Sequence, residues 1–273
     1  MQALRLTAEW PVANVAAAVV SPDGAVATVG DVDASFRIAS LAKLLVGWTA
    51  LVAVEEGTVT LEEPCGQPDC TLRHLLAHAG GYAFDGDAPI ARPGARRTYS
   101  NTGIELAAQC IAEHAGMPYE QYQREAVLEP LGMAATSLRG SPAHGVRSTV
   151  RDLLYFVTEL RAPRLVSAES ALAFRTPQFP ELAGIVPGIG RFDPCPWGLG
   201  TEIRGTKSPH WSGTRNSPST FGHFGGAGTL LWVDPGVEVA VVALTDRPFD
   251  EWSSAALVQW PRFADAVLAE VGA

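Results

Sequence analysis

The chain has 273 residues, 47% apolar and 18% charged, a composition that allows a sizeable core and excludes a disordered chain. With 29 acidic against 20 basic residues, the net charge is −9; this argues against a nucleic-acid partner, because phosphate binding draws on Lys and Arg. No stretch reaches the length of a membrane span, since the apolar run 41–54 is too short and carries Lys43.

The first ten residues lack a basic segment followed by an uninterrupted apolar core. The sequence as given is therefore expected to be cytoplasmic, with its four cysteines, Cys65, Cys70, Cys110 and Cys195, reduced. Residues 15–20 and 25–29 alternate about Ser21-Pro22-Asp23-Gly24 and read as two strands across a tight turn. Residues 35–38 form a short extended approach to Ser40. Residues 40–56 are a long apolar run closed by Gly57, which reads as a helix and its stop.

Ser40 and Lys43 are three apart on that helix and therefore share a face. A lysine among Leu41, Ala42, Leu44 and Leu45 is partly buried, which disfavours its charged form and places a base beside a hydroxyl nucleophile. The helix N-terminus adds positive potential where Ser40 would become an alkoxide. Taken alone, the pair is equally an N-cap serine and a lysine reaching to water.

Residues 59–68 are irregular, and 71–78 form a short helix stopped by Gly80-Gly81. A loop over 83–100 delivers Tyr99-Ser100-Asn101, followed by a helix from about Thr102 to the stop at Gly116. Another helix spans 118–127, and Thr149 with Asp152 forms a capping box for the next. Residues 175–220, rich in Pro, Gly and Ser, read as a long surface excursion. Phe221-Gly222-His223-Phe224-Gly225-Gly226 leads into a strand at 229–233, which turns at 234–236 into another at 237–244. Residues 260–271 close the chain as a helix. Strand pairs at both ends most simply join into one antiparallel sheet. The predicted division is a sheet lobe of 1–38 and 195–273, with an inserted, mostly helical lobe of 39–194 and the site between them.

Tyr99 offers a phenol that becomes a base if a nearby ammonium lowers its pKa, and Asn101 offers a carboxamide. The glycines about His223 permit close backbone approach, and amides there could form half of an oxyanion hole. The order and spacing of Ser40–Lys43, Tyr99–Asn101 and His223–Gly225 resemble the S-x-x-K, Y-x-N and K/H-x-G elements of the serine β-lactamase and penicillin-binding-protein superfamily. The similar branch holds class C β-lactamases, D-alanyl-D-alanine carboxypeptidases and β-lactamase-like esterases. Segments 72–81, 129–133, 148–153, 197–200 and 231–235 are similar to further landmarks, so the resemblance runs from about residue 15 to 246.

The resemblance implies an α/β (α+β) β-lactamase-like fold: an antiparallel sheet flanked by terminal helices, with an inserted helical lobe. It implies Ser40 as the acylated nucleophile, with Lys43 and Tyr99 handling its proton. Backbone N–H groups of Ser40 and Gly226 form the oxyanion hole, and Asn101, His223, Phe224 and Gly225 meet the substrate. That substrate is a small ester or amide, and neither a metal nor an organic cofactor is required. Phe224 and Gly226 stand where lactam-binding relatives often have hydroxyl residues, which favours esters over β-lactams. Lys207 or Arg215 would be the next candidates to anchor a lactam carboxylate. The spacing Cys65-x4-Cys70-x3-His74-x3-His78 is a rival zinc motif, and a binding protein that kept the fold without turnover is a further alternative.

Overall fold

The computed structural model describes residues 1–272. Strands β1 (Val15–Val20), β2 (Val26–Val29) and β3 (Phe36–Arg37) lead through a 3₁₀ turn, Ala39–Leu41, into α1 (Ala42–Glu55). Next come α2 (Leu72–Leu76), α3 (Asn101–Ala115), α4 (Tyr119–Gln123) and α5 (Glu129–Leu131). They are followed by β4 (Ser137–Leu138), β5 (Val146–Ser148), α6 (Val150–Arg161) and α7 (Ala168–Phe174). The hairpin β6 (Gly184–Val186) and β7 (Gly190–Phe192) precedes β8 (Glu202–Ile203), β9 (Phe221–Gly225), β10 (Thr229–Asp234), β11 (Val239–Thr245) and α8 (Ser253–Glu270).

The main sheet is antiparallel, in the order β2-β1-β11-β10-β9-β8. The two strands predicted at the N-terminal end thus join the two predicted at the C-terminal end, and β9 and β8 extend the sheet beyond them. β1, β10 and β11 are nearly continuous apolar runs because both faces are covered. Ala16, Ala18, Val20, Leu231, Val242 and Leu244 pack with α1, α3 and α6, whereas the alternate residues Ala17, Val19, Trp232 and Val241 pack with α8. The N-terminal 3₁₀ run Ala3–Glu9 lies beside α8, where the Gln2 and Ala3 amides donate to Glu270 at 2.7 Å.

α1 is buried on every side from Ala42 to Ala53, so it is a core helix rather than an amphipathic one. Trp48 meets Phe156 and Phe174 edge-on, with centroids 6.1 and 5.2 Å away. Each large apolar side chain buried here contributes about 1.5–3 kcal/mol relative to exposure. Gly57 stops the helix at φ 75°.

Several sequence expectations need correction. Residues 175–220 are irregular but not superficial, since Trp197, Leu199, Glu202 and Trp211 are all buried. Pro, Gly and Ser mark irregular backbone, and the anchoring side chains between them decide its depth. Gly47 of α1 lets this segment in, because a Cβ there would lie 2.0 Å from the Leu199 carbonyl oxygen.

The expected 118–127 helix becomes α4 and then a π-helical stretch, Arg124–Leu128. The last helix begins at Ser253, with Pro261 inside it. Thr149 caps α6 by accepting from the Asp152 amide at 3.1 Å, but no reciprocal box forms. The Asp152 carboxylate instead accepts from Ala135 N and Thr136 Oγ1. Residues 221–225 are themselves the strand β9. Cys65 and Cys110 form a disulfide, so the expectation of four reduced cysteines fails; Cys70 and Cys195 are free and buried.

Candidate active site

Ser40 sits in the 3₁₀ turn before α1, preceded by Ala39 at φ 47°, a left-handed conformation uncommon outside glycine. β9 passes against this turn. A Cβ at Gly225 would lie 2.5 Å from the Ile38 carbonyl oxygen, so glycine is needed for the approach, and Thr229 Oγ1 donates to that carbonyl at 2.9 Å. The third motif thereby fixes the backbone that carries the serine.

Lys43 is fully buried. Its Nζ lies 3.2 Å from Ser40 Oγ, 2.7 Å from Asn101 Oδ1 and 3.0 Å from the Ala143 carbonyl oxygen. Burial drives its pKa down to about 7, against the opposing pull of Glu105 and Asp85. A neutral amine has two N–H groups and one lone pair. Asn101 Oδ1 and the Ala143 carbonyl can only accept, so both N–H groups go to them and the lone pair faces the Ser40 hydroxyl. The buried lysine is thus set up to take a proton from Ser40.

Tyr99 departs from expectation. The Lys43 amine is 4.8 Å from its ring centre, yet burial outweighs the opposing effect of the nearby Ser40 hydroxyl and raises the phenol above its ordinary pKa. It is therefore a proton donor at neutral pH, not a phenolate base. His223 Nδ1 is 2.5 Å from the Phe224 carbonyl oxygen, a contact that requires an N–H on Nδ1. Its Nε2, 3.3 Å from the Tyr99 oxygen, is then the acceptor of the phenol proton. Burial and the neighbouring Lys43 push His223 down to about 3, so it stays neutral and holds Tyr99 in place.

Asn101 has a second engagement, with Nδ2 donating to Asp85 Oδ1 at 3.0 Å. Its carboxamide is held between Lys43 and Asp85, and any substrate contact must compete with Asp85. Gly226 follows β9 and lines the cavity with Ser40, with no atom within 4 Å of where its Cβ would be. The cavity measures about 310 Å³ and is walled mainly by Phe84, Tyr99, Trp197, Phe224 and Phe249.

Sequence reasoning missed Asp85, the Ala143 carbonyl, and His78. His78 packs at a tilt against Tyr99 with centroids 4.6 Å apart and accepts the Ser100 amide on Nδ1 at 3.2 Å. A backbone acceptor leaves no trace in residue identity, and Asp85 lies in a loop without periodicity; for His78 the sequence suggests a place in the landmark segment 72–81 or a metal ligand, not a contact with Tyr99.

The rival roles fall to geometry. Lys207 is buried and donates to Glu202 at 2.9 Å, to the Pro196 carbonyl at 3.1 Å and to the Ile203 carbonyl, so it cannot reach a substrate carboxylate. Glu202 also accepts from His210 at 3.1 Å and from Trp211. Burial alone would raise the Glu202 carboxyl, but Lys207 and His210 outweigh it and hold the pKa well below the usual range. In the zinc spacing, Cys65 is paired with Cys110 and His74 Nδ1 meets Thr71 Oγ1 at 2.8 Å; no cluster of three metal-binding side chains occurs among the described residues.

A family model described as Beta-lactamase matches residues 11–260. The chain belongs to the β-lactamase family. A crystal structure of a β-lactamase from Mycobacterium bovis is similar at 48% identity, covering 99% of this chain and 100% of that one, with a TM-score of 0.95. The D-alanyl-D-alanine-carboxypeptidase/endopeptidase AmpH of Escherichia coli K12 is 30% identical over 148 residues, 40% of this chain and 38% of that protein. The match thus spans less than half of that relative. The unliganded simvastatin synthase LovD from Aspergillus terreus shares the fold at 16% identity, with 97% of this chain and 96% of that one covered and a TM-score of 0.76. No helix among the described residues is long and apolar enough to cross a membrane.

Proposed function

We propose that this β-lactamase-family protein is a serine hydrolase that forms an acyl-enzyme on Ser40, and that its preferred substrates are small carboxylic esters. The observation that carries the reading is the buried Lys43 amine, whose two N–H groups are held by Asn101 and the Ala143 carbonyl with its lone pair toward Ser40 Oγ. Ser40 Oγ attacks the ester carbonyl carbon while its proton passes to Lys43 Nζ. The carbonyl oxygen takes negative charge, with the backbone N–H groups of Ser40 and Gly226 as its donors. The carbon–oxygen bond to the alcohol then breaks, and the departing oxygen takes a proton from Tyr99 or from the lysine. Water, deprotonated by the same groups, repeats the attack and releases the acid and Ser40.

Ester preference is supported by what surrounds the serine. Phe224 and Gly226 supply no side-chain hydroxyl to a lactam carboxylate, Lys207 is committed to Glu202, and the cavity wall is largely aromatic, with Asp250 and Ser253 among its polar residues. The named relatives carry three different activities, so kinship does not choose among acyl substrates. The test compares kcat/KM for p-nitrophenyl butyrate and a chromogenic cephalosporin, with Ser40→Ala as the blank. The ester value should exceed the cephalosporin value by about 10²–10⁴-fold, the effect of two missing charge-directed contacts. A cephalosporin value equal to or above the ester value overturns the preference.

A further inference from the structure

A second groove, about 550 Å³, adjoins the cavity over Ser40, and Phe84, Tyr99 and Pro187 line both. Its walls hold three unusually exposed apolar side chains, Phe84 at 51%, Ile90 at 50% and Ile185 at 56%. Apolar surface gathered at one place beside a reactive serine marks a ligand path rather than scattered exposure.

The groove also carries Arg96 and Arg191. Both are exposed, and neither side chain has a hydrogen-bond or ion-pair partner among the described residues. In a chain of net charge −9, two unpaired guanidinium groups in one apolar groove make a local positive field against the overall sign. Guanidinium groups are suited to carboxylates, which they meet with paired, geometrically matched N–H donors.

The groove floor is rigid. Arg97 bridges Gly184 through its backbone, where a Cβ on Gly184 would lie 2.7 Å from Arg97 Cβ. The buried Arg97 guanidinium donates to the carbonyls of Cys195, Ala77, Gln178 and Phe179, anchoring this backbone to the structure beneath the groove. Arg96, next to it in the chain, is left exposed. Across the β6–β7 hairpin Arg191 pairs in register with Ile185, so a cation and an apolar side chain stand side by side on its exposed face.

We infer that this groove selects substrates bearing an anionic end: esters in which an apolar segment leads from the reacting carbonyl to a terminal carboxylate. The apolar segment lies along Phe84, Ile90 and Ile185, and the carboxylate meets Arg96 and Arg191. This rests on the reading of Ser40 as an esterase nucleophile, and it names the substrate class of that site.

The test uses two anionic probes, the mono-p-nitrophenyl ester of octanedioic acid and the butyrate ester of 8-hydroxyoctanoic acid. They place the carboxylate on the acyl and the alcohol side, and each is paired with its neutral methyl-capped counterpart. At least one anionic probe should exceed its counterpart in kcat/KM by about tenfold at low salt. That advantage should vanish in Arg96→Ala/Arg191→Ala and fall steeply by 0.5 M NaCl, while rates on neutral esters stay within about twofold. Octanedioate should also bind the Ser40→Ala protein in calorimetry and lose that binding in the added double variant, a readout independent of turnover. Ser40-dependent hydrolysis of the neutral esters with no anionic preference overturns the inference and leaves the esterase reading standing. Octanedioate binding without turnover of any ester supports the groove and overturns the esterase reading.

Discussion

If neutral Lys43 is the base, kcat/KM for an ester should follow its deprotonation. With a folded pKa of about 7, the neutral fraction rises from about 9% at pH 6 to about 91% at pH 8, a roughly tenfold increase in rate. His223, held down near 3, and Tyr99, raised by burial, do not change charge in that window. Lys43→Arg keeps the charge but cannot lose a proton, so it should lower kcat/KM at pH 8 by at least about a hundredfold and remove the inflection near 7. Stability moves the same way. The unfolded lysine keeps its proton to about 10.5 while the folded one loses it near 7, so the folded state gains stability as pH rises from 7 towards 10.5. The full difference, 3.5 pH units at about 1.36 kcal/mol each, is about 5 kcal/mol and weighs most heavily below pH 7. Lys43→Met removes that penalty but leaves Asn101 Oδ1 and the Ala143 carbonyl without their donor, at about 1–2 kcal/mol each. The net should be a gain of about 1–3 kcal/mol at pH 6 in urea unfolding, with turnover lost. A rate profile flat from pH 6 to 8, or an active Lys43→Arg with the same inflection, would refute the assignment of the base.

Tyr99→Phe should lower kcat on alkyl esters by about 10–10²-fold without moving the inflection near pH 7, since a phenol acts there as a donor. Loss of the inflection would make Tyr99 the titrating base instead. Gly226→Ser should fit without displacement, because nothing lies within 4 Å of its Cβ. It should raise cephalosporin turnover by about tenfold, the worth of one charge-directed hydrogen bond, and unchanged turnover would remove the missing hydroxyl as the cause of ester preference. Thiol titration in non-reducing denaturant should find two reactive groups, Cys70 and Cys195, and four would contradict the Cys65–Cys110 bond. Its 45-residue separation corresponds to about 4 kcal/mol of stability in the chain-entropy picture, which reduction should remove.

Much of this was legible in the residues. Alternating and continuous apolar runs at 15–20 and 229–244 specify strands whichever partner they find, and glycines at 57 and 116 end helices by their positive φ. The convergence of Ser40, Lys43, Tyr99 and His223 was legible from the order and spacing of three short motifs, and the fold brings their side chains into a chain of neighbouring polar contacts. Side-chain direction and environment were not legible. The sign of the Tyr99 shift depends on burial against a nearby amine, which only packing decides. The depth of Leu199 and Gly200 depends on contact with Lys43 and Gly47 of α1, far away in the chain. Cys110 pairs with Cys65 across two helices, where no spacing rule reaches.

The most direct test of the proposed chemistry is intact-mass analysis and peptide mapping after brief exposure to a fluorophosphonate. The expected result is one adduct per chain, on Ser40, absent in Ser40→Ala and much slower in Lys43→Arg. An adduct on any other residue, or Ser40→Ala protein that still hydrolyses esters at the wild-type rate, would contradict Ser40 as the nucleophile.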